Sequence, residues 1–174
     1  MPFEHFSTER LAVHHWRDSI EDGSRREDLV SKLTDILTDP VLEHLPPSFQ
    51  VSGPSGGLSA WIDARAAESD VFLVSWKNPK ELVGLMILVC DPDTDHGPTF
   101  HIGYLITETA WGQGVASELI AGLVSEMVVR RPVRLVGGVG KNNAASARVL
   151  VKAGFVPDPD LSDPETDTYT LALD

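Results

Sequence analysis

A single cysteine, Cys90, rules out a disulfide within the chain. It ends the apolar run Leu85-Met86-Ile87-Leu88-Val89, where a buried, inert thiol is expected rather than a nucleophile. Apolar runs long enough to cross a bilayer are missing, and no membrane partner is expected. The opening residues, Met1-Pro2-Phe3-Glu4-His5, have neither the basic flank nor the apolar stretch of a signal peptide. Together these absences point to the cytoplasm. Basic residues are scarce: 14 Lys and Arg stand against 26 Asp and Glu, a net charge of −12. That balance argues against nucleic-acid binding by phosphate neutralisation. It suits a cationic substrate such as an amine, and equally a surface whose acidity only keeps the protein in solution. No His/Cys or acidic cluster has metal-ligand spacing, so no metal is expected. There is no nucleophile-elbow sequence and no G-x-G-x-x-G.

What is present is enough for one domain with a core: 174 residues, 42% of them hydrophobic. Residues 8–16 alternate and predict a first strand. Leu29, Val30, Leu33, Ile36 and Leu37 recur at helical spacing within 24–38. Pro46-Pro47 and Gly53-Pro54-Ser55-Gly56-Gly57 punctuate a loop before a short helix over 58–68. Strands over 71–76 and 82–90, joined by Asn78-Pro79-Lys80, predict a hairpin. After the polar turn Asp91-Pro92-Asp93-Thr94-Asp95 comes a strand over 99–106. A helix follows, carrying Val115, Leu119, Ile120, Leu123, Val124, Met127 and Val128 on one stripe and ending at Arg130-Arg131-Pro132. A strand over 133–139 leads to a second helix, opened by Asn142-Asn143 and closed by Ala153-Gly154. Residues 155–156 and 168–173 predict terminal strands around the loop 157–167. This order implies an α/β (α+β) architecture, a mixed sheet with helices on its faces.

The segment Trp111-Gly112-Gln113-Gly114-Val115-Ala116-Ser117 joins the strand 99–106 to its helix. Backbone N–H groups at a helix start have no partner inside the helix, and the helix dipole adds positive potential. Such a turn is a site for an anion such as a phosphate, and glycine lets the ligand come close. An ordinary tight turn would use the same residues.

Two segments together resemble the GNAT superfamily of N-acetyltransferases. One is His101-Ile102-Gly103-Tyr104-Leu105-Ile106 with Trp111-Gly112-Gln113-Gly114-Val115-Ala116; the other is Asn143-Ala144-Ala145-Ser146-Ala147-Arg148-Val149-Leu150-Val151-Lys152-Ala153-Gly154-Phe155. The pairing is most similar to the RimJ/RimL (ribosomal-protein-alanine N-acetyltransferase) type, whose opening strand Thr8-Glu9-Arg10-Leu11 also resembles. The resemblance implies a single N-acetyltransferase domain with a mixed, mostly antiparallel central sheet flanked by helices on both faces. Residues 1–70 would supply the opening strand and acceptor-side helices. Residues 71–174 would supply the hairpin, the acetyl-CoA-binding strand-turn-helix and the terminal strands.

Acetyl-CoA is the implied cosubstrate. Its pyrophosphate would rest on the amides of Gln113, Gly114, Val115, Ala116 and Ser117. Its pantetheine arm would pair with the strand end at Leu105, Ile106 and Thr107, where the family's strands splay. Asn143 and Ser146 match polar positions that face the cofactor, although capping alone would account for Asn143 and a satisfied helix hydroxyl for Ser146. The pattern's Gln or Arg three residues before the first turn glycine is Thr109 here, with the glutamine inside the turn at Gln113.

The implied reaction is direct attack of a neutral amine on the thioester. An α-amino group has a pKa of ~8 and a lysine ~10.4, so a base is useful. His101 stands where relatives often carry glutamate, and a histidine can do that work near neutrality; an ordinary strand histidine would look the same. Asp95 and His96 are weaker candidates, and Glu108 follows the cofactor strand facing solvent. The tyrosine that protonates the thiolate in many members is Leu150 here, and Ser146 is the substitute. Trp16, Trp61 and Trp76 are expected in the core or pocket wall, and Trp111 to pack; His14 and His15 should face opposite ways. The acceptor is a protein N-terminus or a small amine. A homodimer is compatible with this, though no specific feature asks for one. A non-catalytic acyl-CoA-binding module and a dinucleotide-binding oxidoreductase are the rival readings.

Overall fold

Residues His5–Ser7 (β1) fold back on Leu11–His15 (β2), and Leu11–His15 in turn pairs with Asp70–Trp76 (β3). The computed structural model describes residues 3–45, 50–51, 56–92, 94 and 97–174. Between β2 and β3 lie helices Arg17–Glu21 (α1), Gly23–Ile36 (α2), Asp39–Leu42 (α3) and Gly56–Glu68 (α4). Strand β3 forms a hairpin with Leu82–Asp91 (β4), which pairs with Thr99–Ile106 (β5). Helix Val115–Val128 (α5) then crosses to Val133–Gly140 (β6), the parallel neighbour of β5. Helix Ala144–Lys152 (α6), strand Val156–Pro157 (β7) and strand Thr166–Leu173 (β8) complete the order. Among the described residues the eight strands form one sheet, ordered β1-β2-β3-β4-β5-β6-β8-β7.

Strand alternation divides the core between the two faces of this sheet. Val71, Leu85, Ile87 and Leu105 pack with Leu29 and Leu33 of α2 and Trp61 and Ile62 of α4. The next residues along, Phe72, Met86, Leu88 and Ile106, pack with Leu119, Ile120 and Leu123 of α5 and Leu150 of α6. Strand β4 is central and covered on both faces, which is why its sequence is an unbroken apolar run. The mixed sheet with helices on its faces is what the element order implies, and its mostly antiparallel pairing is what the resemblance implies.

Most elements lie within a residue or two of their expected limits. The differences are short pieces, below the length at which periodicity can be read. Strand β1 was not expected; the span 8–16 resolves into the five-residue β2 followed directly by α1, and α3 is a single turn. His14 is exposed, whereas the neighbouring His15 is nearly buried, with Nε2 3.5 Å from an Asp70 oxygen. Trp16 and Trp61 are buried edge to face, and Arg10 stacks over Trp76. Cys90 corrects the sequence reading. It is exposed, because the last three residues of β4 emerge from the core. An apolar run marks a strand but not where its cover ends. Residual desolvation and then the Asp91 and Asp70 carboxylates push its thiol up, away from nucleophilic character. Pro46, Pro47, Gly53, Pro54, Ser55, Asp93, Asp95 and His96 lie outside the described residues.

Candidate active site

The parallel seam between β5 and β6 opens part way along. Its rungs run from Thr99–Arg134 to Ile102–Gly137 and stop there, although β5 continues to Ile106 and β6 to Gly140. On its other edge β5 stays paired with β4 as far as Ile106–Gly84. Backbone groups of an antiparallel strand alternate between its two neighbours. Thr107 N–H donates to Val83 on the β4 side, whereas the Pro98 carbonyl accepts from Arg134 on the β6 side. The even-numbered residues of β5 therefore turn their polar backbone to β6. Beyond Ile102, those are Tyr104 and Ile106. The Ile106 carbonyl accepts from the Trp111 indole at 2.7 Å. That leaves Tyr104 N–H and C=O and Ile106 N–H facing the gap, without a partner among the described residues.

Of the three residues expected to meet the pantetheine arm, Ile106 turns its N–H to the gap. Leu105 lines the cavity, but by the same alternation its amide and carbonyl turn to β4. Thr107 is buried, its N–H is spent on Val83, and it is not on the cavity wall.

The gap widens into a cavity of about 760 Å³. At one end stands the glycine turn. Gly112 and Gly114 have φ of +73° and +77°, the left-handed region where glycine carries no Cβ penalty. Gly114 is the N-cap of α5, and the first bond into the helix runs from Glu118 N–H to the Gly114 carbonyl. Among the described residues none accepts from the amides of Gln113, Gly114, Val115, Ala116 or Ser117. All but Gln113 belong to residues lining the cavity. The Gln113 side chain turns away and donates to the Thr109 carbonyl at 2.8 Å. Arg148 and Lys152, one turn apart on α6, line the same cavity, and Lys152 shares an adjoining hollow of about 380 Å³ with Gly114 and Ser117 of the turn and with Arg10. Free donors, a helix dipole and these cations make this end fit for a polyanion.

Helix α6 forms a second wall. Asn143 is its N-cap, and its side-chain oxygen accepts from Ser146 N–H at 3.0 Å. The Ser146 hydroxyl accepts from the Tyr104 hydroxyl at 3.1 Å. Burial pushes the Tyr104 phenol up. Leu150 is buried in the core and reaches the cavity through one edge. On the far face of the sheet His101 is exposed on the cavity wall, beside Val89. Val41, His44, Leu45 and Ile87 complete that wall. Trp111 corrects the packing expectation: it is 46% exposed, fixed by its indole bond and near His44, with ring centroids 6.4 Å apart. Glu108 is exposed, and the Thr38 hydroxyl donates to it.

Tyr104, His44, Arg148 and Lys152 were not read as site residues. The i, i+4 spacing of Arg148 and Lys152 was the available signal for that pair. Thr8 and Arg10 sat in a segment noted only for its resemblance. They clasp α5: the Glu118 carboxylate accepts from the Thr8 hydroxyl and from the Arg10 amide and guanidinium. No group of three His, Cys, Asp or Glu that could hold a metal occurs among the described residues. No helix among them is long and apolar enough to cross a membrane.

Residues 24–156 match the family model described as an acetyltransferase (GNAT) domain. No curated protein matches the chain. Among solved structures, the fold is shared with RimL, the ribosomal L7/L12 α-N-protein acetyltransferase in complex with coenzyme A, at TM-score 0.75 and 16% identity over 98% of this chain and 99% of that one. The ribosomal-protein-S5-alanine acetyltransferase from Vibrio fischeri superposes at TM-score 0.68, with 16% identity over 98% and 97% of the two chains. The microcin C7 self-immunity acetyltransferase MccE, in complex with acetyl-CoA and AMP, does so at TM-score 0.65, with 14% identity over 94% and 93%. Identities this low establish a common fold and nothing finer.

Proposed function

The chain belongs to the GNAT acetyltransferase family, and from that premise we propose that it moves the acetyl group of acetyl-CoA to a primary amine by direct attack in a ternary complex. The observation that carries this reading is the set of uncommitted amides from Gln113 to Ser117, at the N-terminus of a helix that borders an opened β5–β6 seam. A diphosphate satisfies the first feature. An extended chain with two amides satisfies the second, through the free backbone groups of Tyr104 and Ile106. The Arg148 and Lys152 side chains complement the nucleotide's remaining charge.

In this reading the amine lone pair attacks the thioester carbon, and His101 takes the proton that nitrogen loses. The exposed ring of His101 on the far wall suits a base that must return its proton to solvent. Asn143 has its oxygen committed to the helix cap, so it would meet the cofactor through its side-chain N–H groups. Ser146 faces the departing sulfur.

The acceptor is a protein N-terminus or a small amine. The ribosomal-protein names of two fold relatives support the first. Among the described residues no Asp or Glu lines the cavity, which favours an acceptor with one reactive amine beside apolar groups over a polycation. Family membership supports a cytoplasmic setting.

Calorimetry with acetyl-CoA and with NAD, followed by a turnover screen on peptides and small amines, tests the proposal. Acetyl-CoA binding with acetylation of at least one amine is expected. Binding without turnover on any amine would favour an acyl-CoA-binding module. NAD binding without coenzyme A binding would overturn the assignment.

A further inference from the structure

Tyr104 and Ser146 meet across the opened seam. Tyr104 sits two residues beyond the last β5–β6 rung, partly buried against the core on the α5–α6 face. Ser146 is in the first turn of α6, and its amide is held by Asn143. Both line the cavity. A serine hydroxyl has one hydrogen and two lone pairs. Here one lone pair takes the Tyr104 hydrogen, at 3.1 Å. A helical serine commonly donates its own hydrogen to the carbonyl four residues back; no such bond is made from Ser146 among the described residues. Its hydrogen is left for the cavity.

We propose that Tyr104 is a positioning residue for the transfer step: its hydroxyl, donating to Ser146, turns the serine O–H toward the sulfur of the departing coenzyme A. This rests on the acetyl-transfer reading above. The amine nitrogen forms the new bond to the carbonyl carbon, and the π pair moves to oxygen. When the carbonyl re-forms, the C–S bond breaks and its electron pair stays on sulfur. The proton lost by nitrogen goes to the base. Sulfur leaves as a thiolate met by the Ser146 O–H, and neither hydroxyl is deprotonated. Acidities decide against a proton relay: a thiol ionises near ~8.5 and a phenol near ~10, and burial takes Tyr104 higher still. Tyr104 therefore remains a donor wherever the thiolate forms. A phenol donating to a hydroxyl also polarises it, strengthening the serine's own bond.

The test needs no acceptor. The thiol of bound coenzyme A is titrated by its thiolate absorbance, as the difference between loaded and free protein, in the native chain and in Tyr104→Phe, Ser146→Ala, Ser146→Thr and the Phe/Ala double variant. Tyr104→Phe and Ser146→Ala should each raise the thiol pKa by about one unit, the worth of one lost hydrogen bond. The double variant should be no worse than Ser146→Ala, Ser146→Thr should titrate as native, and coenzyme A affinity at a pH where the thiol is un-ionised should hold in Tyr104→Phe. If Tyr104→Phe titrates as native while coenzyme A still binds, the role of Tyr104 is overturned and the acetyl-transfer reading survives. Additive shifts in the double variant would also overturn it, by showing that the tyrosine does not act through the serine. If the native protein binds no coenzyme A, the functional reading fails and this inference with it.

Discussion

Ser117→Glu separates two jobs performed at one turn. Position 117 is in the first turn of α5, where a carboxylate complements the helix dipole by about 0.3–1 kcal/mol. The fold should keep or gain stability. The same carboxylate would stand beside the amides assigned to the diphosphate, and like charges about 4 Å apart at an effective dielectric near 20 repel by about 4 kcal/mol. Acetyl-CoA affinity measured by calorimetry should fall at least about 100-fold while the melting temperature holds; unchanged affinity would move the diphosphate elsewhere. Gly114→Glu is a poorer probe, since φ of +77° adds backbone strain to any charge effect. His101→Ala should lower kcat about 100-fold with little change in KM for acetyl-CoA, and the acid limb of the pH–rate profile should vanish; a retained limb would remove His101 from the mechanism. At this scale the sequence disclosed what local backbone demands disclose: the turn glycines, the Asn143 cap and the helix-start amides. Tyr104 escaped because its role depends on a partner 42 positions away and on which residues of β5 face the gap. The same parity explains why Ile106 faces the gap with its backbone and Leu105 and Thr107 do not.

Between elements, a contact that ties α5 to the β1–β2 edge of the sheet is the Glu118 clasp. Burial would push the Glu118 carboxyl up. The Thr8 hydroxyl, the Arg10 amide and the Arg10 guanidinium together outweigh that and hold it below the usual glutamate range. A carboxyl with a depressed native pKa stabilises the fold above its unfolded pKa, near ~4.3. That stabilisation is lost as pH falls through the native value. Glu118→Gln should therefore cost roughly 1–3 kcal/mol at pH 7 in denaturant melts, and the gap to the native protein should narrow as pH falls below about 4.3 and close as it passes the depressed native value. A pH-independent gap would show that the clasp acts by shape and not by charge. Arg10 also donates to the Gln113 carbonyl at 3.1 Å, so the variant should loosen acetyl-CoA binding as well. Long, strongly periodic elements were legible because each shows its own buried face: β3 to β6, α2, α5 and α6. The partners of the clasp were not, because Thr8 and Arg10 lie about 110 positions from Glu118 and no periodicity links them.

Across the whole molecule, a net charge of −12 surrounds a cavity whose described walls carry no carboxylate. These two facts assign different steps to different forces. With the amine acceptor proposed above, the field of the surface would concentrate the protonated form around the protein before it binds, an effect on arrival that can reach 10- to 1,000-fold. Inside, the described walls carry no carboxylate to pair with an ammonium, and in the proposed reaction the nitrogen must lose a proton before it attacks. Screening should then weaken capture and leave chemistry alone. Raising salt from about 0.01 M to about 0.15 M shortens the Debye length from about 30 Å to about 8 Å. Over that range kcat/KM for a cationic amine should fall roughly threefold to tenfold, while kcat stays within experimental error. A polyamine should show a steeper salt dependence than a monoamine, with no higher kcat. Parallel loss of kcat and kcat/KM would place acidic groups at the reacting centre, and a flat kcat/KM would leave the charge with no role beyond solubility.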